Sequence, residues 1–406
     1  YDSIVVGGGA AGLIAAITGA KQGKKILILE RNDRLGKKLL ITGKGRCNVT
    51  NACDLDEFMS NIPSNGRFLF SAFSGFTSAD VMEFFTELGV PLKIERGKRV
   101  FPVSDRANDV VSALEKAVKA YDITVKTARV KSLIIENSEI KGVSCEQADF
   151  FAESVLVATG GKSYPLTGST GDGYAFAEQA GHKIIPLVPS LVPIVTEEKF
   201  CADMMGLSLK NATLTLRDKE KNKVLYSELG EMLFTHFGVS GPLVLSAASH
   251  IREMKRNRYS LEIDLKPALS VEKLDARVVR DFTENANKDF ANSLRKLLPA
   301  KIIPVIVSLS GISGDTKINQ ITKEQRLVFV NLLKKFPLSV KEFRPIDEAI
   351  ITSGGVSIKE INPKTMESKL VKGLYFAGEV IDVDGYTGGF NLQIAFSTGY
   401  AAGINM

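Results

Sequence analysis

The sequence has no tryptophan, only three histidines and only four cysteines among its 406 residues. The cysteines are Cys47, Cys53, Cys145 and Cys201, and no two of them form a C-x-x-C pair. This spacing is typical neither of a disulfide framework nor of a zinc site. No Ser-His-Asp ordering and no cluster of metal ligands stands out, so we predict no metal centre. We expect the protein to act in the reducing cytoplasm.

The sequence also lacks a long apolar run and a run of basic residues. Its most apolar stretch, 184–195, contains three prolines and is shorter than the about 20 residues of a membrane-spanning helix. The net charge of +6 is small and the basic residues are scattered. We therefore expect no membrane partner and no stable nucleic-acid partner, but a small-molecule substrate. The oligomeric state stays open, and no targeting signal is visible before the first strand.

The overall composition is that of a soluble globular protein. An apolar share of 44% and a charged share of 24% are ordinary for this class. A chain of 406 residues is long for one core, so more than one domain is expected. The composition shifts at the proline-rich stretch 186–193, which we interpret as a domain boundary.

The N-terminal stretch has a clear pattern of strand, glycine turn, helix, strand and acid. The turn has the G-x-G-x-x-G spacing of a dinucleotide-binding site. Gly7 allows the tight turn, Gly9 lets the backbone approach a pyrophosphate, and Gly12 lets the helix lie close to the sheet. Ala10 and Ala11 open that helix, whose free N–H groups and dipole attract phosphates.

Glu30 ends the second predicted strand. A carboxylate at this position can accept hydrogen bonds from both ribose hydroxyls and repels a 2′-phosphate, so NADP is disfavoured at this site. A purely structural glycine turn is the alternative, although the strand before the turn and the acid after it favour a dinucleotide. The motif by itself does not distinguish NAD from FAD.

A basic segment that contains glycine follows Glu30. Glycines beside lysine and arginine suit a loop that presents N–H groups and cations to an anion. A solvated basic loop is the alternative, but the position directly after the fingerprint favours a ligand. The residues expected to contact the cofactor here are Arg31, Lys37, Lys38, Gly45, Arg46, Cys47 and Asn48.

Two later apolar strands end in small residues and so complete the pattern of the N-terminal fingerprint. The residues expected to contact the cofactor there are Ala158, Thr159, Gly160, Gly161, Gly378 and Glu379. The three segments make sense together if one long ligand runs across the whole edge of a parallel sheet. FAD is that long, whereas NAD would not need the last segment.

A helix follows the last of these strands, and its start completes the predicted cofactor site. Its N–H groups and positive dipole can face the flavin pyrimidine ring and favour the negative charge that gathers there on reduction. Glu379 would face the ribityl chain or the pyrophosphate, and the backbone near Val130 could border the adenine. Contacts from the helix start are expected from Gly389, Asn391, Leu392 and Gln393.

Longer motifs extend over nearly the whole chain, at 43–51, 101–104, 160–174, 233–242 and 378–393. On these stretches the sequence resembles the bacterial YhiN/BaiN-like flavoproteins, which are known as NAD(P)/FAD-dependent oxidoreductases and also as the aminoacetone oxidase family. The resemblance implies an α/β fold with a Rossmann-like FAD-binding domain of the glutathione-reductase-like superfamily. It leaves the substrate open.

The resemblance also implies that the FAD-binding domain is discontinuous and contains an insert. We expect the FAD-binding domain at 1–190 and 346–406, and the inserted domain at 191–345. The pattern of the insert predicts a strand-rich part at 191–268, followed by a helical part at 269–345. No second G-x-G-x-x-G follows a strand there, so no separate nicotinamide-binding domain is expected.

These observations predict an FAD-dependent oxidoreductase that acts on a small organic molecule. The flavin would be reduced by NAD(P)H that enters transiently, or by the substrate itself. One alternative is an oxidase of an aminoacetone-like amine that uses oxygen. Another is a flavoprotein that acts on or binds tRNA, which the scattered charge disfavours.

His236 is the candidate proton carrier. A histidine titrates near neutral pH, and this one lies inside the 233–242 motif. A packed histidine that bonds a backbone carbonyl is the alternative. Cys47 could be a redox thiol near the flavin, but without a partner cysteine a buried small residue is the plainer interpretation.

Overall fold

The structure is a computed structural model that describes residues 1–406. The chain divides into two units. Unit 1 comprises Tyr1–Ser190 and Pro345–Met406, and unit 2 comprises Leu191–Arg344. None of the helices in either unit has both the length and the apolar character needed to cross a membrane.

The strands and helices are numbered in chain order. The strands are β1 (Ser3–Val6), β2 (Ile26–Glu30), β3 (Thr50–Asn51), β4 (Leu92–Glu95), β5 (Arg99–Pro102), β6 (Thr124–Thr127), β7 (Val130–Glu136), β8 (Glu139–Cys145), β9 (Asp149–Phe151), β10 (Ser154–Val157), β11 (Ile184–Ser190), β12 (Ile194–Thr196), β13 (Ser208–Asp218), β14 (Lys223–Thr235), β15 (Gly238–Ser240), β16 (Tyr259–Asp264), β17 (Phe336–Phe343), β18 (Ile351–Val356) and β19 (Leu374–Phe376). The α-helices are α1 (Ala10–Lys21), α2 (Lys37–Ile41), α3 (Leu55–Ser60), α4 (Phe70–Gly75), α5 (Ser78–Glu87), α6 (Ala107–Ala120), α7 (Asp172–Gln179), α8 (Pro242–Ala248), α9 (Val271–Glu284), α10 (Phe290–Ser293), α11 (Ile303–Ser310), α12 (Lys323–Lys334) and α13 (Phe390–Asn405).

The centre of unit 1 is a parallel sheet in the strand order β19-β10-β1-β2-β6. Val6 of β1 lies beside Val157 of β10 and Leu29 of β2, so these three strands end at the same level. Strands β1, β2, β10 and β19 are buried along their whole length, as their runs of Val, Ile and Leu require in a sheet covered on both faces. The predicted α/β class with a Rossmann-like domain is confirmed.

Helices α1 and α13 pack against each other through small residues. A Cβ at Gly399 would lie 2.4 Å from the Ala11 carbonyl oxygen, and one at Gly403 would lie 2.5 Å from that of Ala15. The contacts advance in the same sense along both helices, so the helices run parallel. Gly399 lies eight residues farther from the start of its helix, Phe390, than Ala11 lies from the start of its own, Ala10. At the rise per residue of an α-helix, this offset places the N-terminal end of α13 roughly 12 Å beyond that of α1.

The three short strands at 123–145, whose order in the sequence suggests one β-meander, do not form a single sheet. The first of those strands, β6, pairs with β2 and forms the edge of the parallel sheet. The meander instead consists of β7, β8 and β9. The strands β3, β5 and β4 form a further sheet, and β11 pairs with β18. An alternating pattern does not reveal which partner a strand has, because pairing depends on distant residues.

Unit 2 is built on a closed barrel in the order β12-β15-β14-β13-β16-β17. The helices α9 to α12 come between β16 and β17 in the chain. The predicted helical part from 269 to 345 therefore ends earlier than expected, because Phe336–Phe343 is a strand. Phe336, Leu338 and Val340 are buried at every second position, and β17 pairs with both β16 and β12 to close the barrel.

Candidate functional site

The carboxyl edge of the parallel sheet brings together the segments that the sequence placed far apart. Ala158 donates its N–H to the Val6 carbonyl at 2.9 Å, so the end of β10 lies beside the glycine turn. A Cβ at Gly7 would lie only 2.6 Å from the Ala158 carbonyl oxygen, and one at Gly378 would lie 3.0 Å from the Ala11 Cβ. The first, middle and last predicted segments therefore meet at one edge.

The glycine turn has the shape needed for a pyrophosphate. Gly7 has a φ of +106°, and a Cβ at Gly12 would lie 2.0 Å from the Gly7 carbonyl oxygen. At Gly9, by contrast, a Cβ would meet no atom within 4 Å. Gly9 is also the N-cap of α1, and no side chain caps the helix there. The space beside Gly9 is therefore open and no side chain occupies the first N–H groups of α1, which fits a phosphate-bearing ligand.

Glu30 is buried and held beside this turn. Its Oε2 accepts a hydrogen bond from the Gly8 N–H at 2.8 Å, and its Oε1 accepts from the Asn32 backbone N–H at 2.8 Å and the Asn32 Nδ2 at 2.7 Å. A carboxylate has about four acceptor sites, so one stays available. A ribose hydroxyl can take that site, and a second hydroxyl would have to displace the Asn32 side chain.

The four cations predicted to meet an anion are each paired with a carboxylate within unit 1. The pairs are Arg31 with Asp172, Lys37 with Asp33, Lys38 with Glu379, and Arg46 with Glu95 and Asp105. Hydrogen bonding to Arg46 lowers the pKa of the Glu95 carboxyl, and bonding to Lys93 and Arg46 lowers that of Asp105. The phosphate role of these cations stays a prediction, and their charges are already balanced. The backbone N–H groups at the start of α1 are therefore the donors of this region that no side chain occupies.

Glu379 lies just beyond β19 and is held by three donors. Its Oε2 accepts from Lys38 Nζ at 2.6 Å, and its Oε1 accepts from the Thr352 N–H at 2.8 Å and from Ser163 Oγ at 2.9 Å. Gly161 is needed here, because a Cβ would lie 2.6 Å from Glu379 Oε1. Glu379 is therefore fixed at the sheet edge with one acceptor site left, as at Glu30.

Three residues close to Arg46 in the chain differ in burial and in hydrogen bonding. Cys47 is fully buried, and burial raises the pKa of its thiol to about 11. The thiolate that redox chemistry requires is thus disfavoured, which favours the interpretation as a buried small residue. Gly45 has a φ of +83° and lies on the exposed side of the loop. The Oδ1 atom of Asn48 is buried and has no hydrogen-bond partner.

The start of α13 resembles the start of α1. Its N-cap is Gly389, with a φ of +102° and no side-chain cap. A Cβ at Gly389 would lie 2.4 Å from the carbonyl of Thr50, so the helix start lies against strand β3. The N–H groups of the first turn, which includes the half-buried Leu392, have no partner within the helix.

The side chains of Asn391 and Gln393 form hydrogen bonds within the protein, and their predicted contact with the cofactor stays a prediction. Asn391 accepts from the Gly385 N–H at 2.8 Å and donates to the Gly385 carbonyl at 2.7 Å, so it fastens the preceding turn. Gln393 is buried, accepts from Thr50 Oγ1 at 2.6 Å and donates to the Phe76 carbonyl at 2.9 Å. Their side chains hold the protein together, which leaves the backbone as the contact that they offer a ligand.

Sequence reasoning missed one residue of this edge, Asn51. Its Oδ1, like Thr159 Oγ1 at the end of β10, is a buried polar atom without a hydrogen-bond partner. Buried polar atoms without partners are rare in folded proteins. A bound ligand would explain both of them, and the only signal for Asn51 in the sequence was its place in the 43–51 motif.

Of the two remaining predicted residues, Val130 belongs to unit 1 and His236 to unit 2. Val130 is buried at the start of β7, two residues after Ala128, whose N–H donates to the Glu30 carbonyl at 2.9 Å. This places Val130 near the Glu30 end of the edge. His236 belongs to unit 2, where it is exposed in the turn between β14 and β15 with its ring centre 5.0 Å from that of Phe237. Its catalytic role stays a prediction.

Comparison with known proteins covers the whole chain. The model of a family described as HI0933-like protein Rossmann domain matches residues 1–405. The 3-dehydro-bile acid Δ(4,6)-reductase of Clostridium scindens is 32% identical over 411 residues, which cover 98% of this chain and 97% of the relative. The ribosomal RNA dihydrouridine synthase of Haemophilus influenzae is 32% identical over 413 residues, which cover 100% and 98%.

A solved structure shows how far the fold extends. The 3-ketosteroid-Δ4-(5α)-dehydrogenase of Rhodococcus jostii RHA1 matches with a TM-score of 0.54 at 14% identity, over 100% of this chain and 96% of that one. At this identity the likeness concerns the fold alone.

Proposed function

Because the chain belongs to the HI0933-like family and is an FAD-dependent oxidoreductase, we propose that it reduces a carbon–carbon double bond conjugated to a carbonyl group. Family membership confirms the resemblance indicated by the sequence motifs. The observation that carries the proposal is the chemistry shared by the names of two relatives that align over nearly the whole chain. One name describes reduction of double bonds in a 3-oxo bile acid, and the other the formation of dihydrouridine.

Both substrates contain the same reacting group. In a 3-oxo Δ4,6 compound and in the uracil ring, the double bond is conjugated to a carbonyl. Reduction adds a hydride to the carbon remote from the carbonyl and a proton to the carbon beside it. Reduced flavin, when bound, supplies the hydride. The proton has to come from a group of the protein or from water, and His236 stays the predicted proton carrier.

The residues of unit 1 would hold FAD across the sheet edge. The open N–H groups after Gly9 would bind the pyrophosphate, and Glu30 would accept a ribose hydroxyl. The uncapped start of α13 would face the pyrimidine ring, where its positive end favours the negative charge of the reduced state. Glu379 would accept a hydroxyl of the ribityl chain.

NAD(P)H is the proposed source of electrons. The balanced reaction consumes one NAD(P)H, one proton and one substrate double bond, and releases NAD(P)⁺ and the saturated product. The chain has one dinucleotide fingerprint after a strand, and FAD would occupy it. NAD(P)H would therefore bind transiently, reduce the flavin and leave.

An anaerobic titration tests the proposal. Purified protein, saturated with FAD, is titrated with NADH and with NADPH while the flavin absorbance is recorded. The reduced protein is then mixed with a 3-oxo-4-ene steroid. Reoxidation of the flavin, with the saturated ketone as product, is the expected result. Failure to retain FAD would contradict the proposal, and an oxidised flavin that is reduced by an aminoacetone-like amine and reoxidised only by oxygen would favour the oxidase instead.

A uracil base in RNA is a second candidate substrate, and the distribution of charge favours it. Unit 2 has 25 Lys and Arg against 18 Asp and Glu, whereas unit 1 has 27 against 28. The net positive charge of the chain thus resides in unit 2, which suits a polyanion. Binding of a uridine-rich RNA that weakens steeply with rising salt, together with reoxidation of the flavin by that RNA, would select this candidate over the steroid.

A further inference from the structure

Asn51 has a half-satisfied side-chain amide in an otherwise well-bonded region. It is the last residue of β3 and is only 4% exposed. Its Nδ2 donates to the carbonyls of Gly97 and Gly388, both at 3.0 Å. Because both partners are acceptors, the nitrogen must face them, so the orientation of the amide is fixed. The Oδ1 then faces the other way, and it is buried without a partner.

The location of this unpaired acceptor points to a ligand. Gly388 directly precedes Gly389, the N-cap of the 16-residue helix α13, so Asn51 is bonded to the backbone at the start of that helix. The first N–H groups of α13 have no partner within the helix, and no side chain caps them. A buried unpaired acceptor therefore belongs to a residue that is bonded to the half-buried start of a helix with open donors.

The matching ligand group has acceptors on both sides of a donor. This is the imide of a pyrimidine-type ring, in which one N–H stands between two carbonyls. We propose that Asn51 Oδ1 accepts a hydrogen bond from the N3–H of the flavin, while the N–H groups of α13 donate to the neighbouring ring carbonyl. The inference rests on the proposed function, since it requires FAD at this edge, and it identifies Asn51 as a cofactor-binding residue.

A purely structural role does not account for the Oδ1 of Asn51. Asn391, at the start of the same helix, is structural, and its oxygen and nitrogen both bond to the backbone of Gly385. Asn51 needs only its nitrogen to join Gly97 to Gly388. Its buried oxygen calls for a donor, and the oxidised isoalloxazine ring carries a single N–H donor, at N3.

The test compares the binding of FAD with that of N3-methyl-FAD, which lacks this donor. Dissociation constants are measured by flavin fluorescence for the wild type, for Asn51→Ala and for the matched control Asn391→Ala. The wild type is expected to bind N3-methyl-FAD about tenfold more weakly than FAD, which corresponds to one hydrogen bond to a buried acceptor. Asn51→Ala is expected to lose most of this preference. Asn391→Ala is expected to weaken both ligands equally and to keep it.

Each outcome bears on the inference. Equal binding of the two flavins to the wild type, or an unchanged preference in Asn51→Ala, overturns the role of Asn51 and leaves the proposed function intact. A failure of the wild type to bind FAD overturns both. If Asn51→Ala does not fold, the wild type with FAD labelled with ¹⁵N at N3 decides. An N3–H signal that exchanges slowly with water supports the inference, and fast exchange overturns it.

Discussion

Two long helices of unit 2 begin with a side-chain cap, and two long helices of unit 1 begin without one. In unit 2, Ser270 caps α9 by accepting from the Lys273 N–H, and Thr322 caps α12 in a capping box with Gln325. In unit 1, α1 begins after Gly9 and α13 begins after Gly389. No side chain at either N-cap accepts a hydrogen bond from the first N–H groups of the helix. A side-chain cap satisfies one of the open N–H groups of the first turn, whereas an uncapped helix leaves them to water or to a ligand. The open starts of α1 and α13 fit the proposed cofactor site, but an open start is not specific to it, since α6 of unit 1 also begins without a cap.

The largest effect is expected at Gly9. Gly9→Val fills the open space in front of α1 and should weaken FAD binding by at least about a hundredfold, because a phosphate then loses the helix N–H groups. Flavin fluorescence measures the dissociation constant. Gly75→Val is the control, since a Cβ at Gly75 also meets no atom within 4 Å but lies at the end of α4. A Gly9→Val protein with normal FAD affinity would show that α1 is not the phosphate site.

A second contrast concerns an ion pair in each unit. Lys38→Met leaves the nearly buried Glu379 without its cation, which should cost about 2–3 kcal/mol of stability and weaken FAD binding. In unit 2, Arg258→Met removes the partner of Asp218 and should lower the melting temperature without any effect on FAD affinity. Calorimetry and flavin binding on both variants measure the two effects. An equal loss of FAD binding in both variants would contradict the expected difference between the two ion pairs.

Removing a cap in unit 2 and adding a cap in unit 1 should change the stability by smaller amounts and in opposite directions. Thr322→Ala removes a cap and should destabilise unit 2 by about 1 kcal/mol. Gly9→Ser adds a cap where the backbone is already extended, and should stabilise the ligand-free protein by a few tenths of a kcal/mol. The added hydroxyl competes with phosphate for the same N–H groups, so FAD affinity should fall. Denaturant unfolding with and without FAD measures both, and a Gly9→Ser protein that binds FAD more tightly would contradict the comparison.

The smallest effect is expected from acid. His182 in unit 1 is buried with its Nε2 2.8 Å from Ser368 Oγ, and burial lowers its pKa below the ordinary value near 6.5. The unfolded chain then binds the extra proton more readily, so stability falls as the pH drops below about 6.5. In unit 2, hydrogen bonding to Arg258 lowers the pKa of the Asp218 carboxyl, whose contribution is lost only as the pH falls below about 4.

Unfolding at pH 7.5 and pH 5.5 measures this acid effect. The wild type should be less stable at the lower pH, and His182→Gln should reduce the difference by removing the titrating group. A variant that keeps the full pH dependence would exclude His182 as its source.

The parts of the site that the sequence predicted depend on local patterns. Buried strands that end in glycine identified the sheet edge, because parallel strands of this class share one functional end. The start of α1 followed from the spacing of Gly7, Gly9 and Gly12 alone. These signals need no knowledge of distant residues.

The parts that it did not predict depend on contacts between distant segments. Arg46 meets Glu95 and Asp105 only because β4 and β5 fold beside its loop. Gln393 bonds to Thr50 across 343 residues of sequence. Asn51 stands out only once Gly97 and Gly388 are seen to hold its nitrogen. Such pairings cannot be inferred from spacing, since they arise from the tertiary packing of each side chain.

The parallel packing of α1 and α13 fixes the distance between the starts of the two helices. Gly399 and Gly403 allow the helices to touch, so the two open helix starts are joined by a stiff connection with a fixed offset. A molecule that uses both must have the matching length between its anionic part and its ring. FMN joins its phosphate to its ring through the same ribityl chain as FAD, whereas riboflavin has no phosphate and can reach only one helix start. The distance available between a phosphate and a flavin ring would therefore be set in the helix interface, at Gly399 and Gly403.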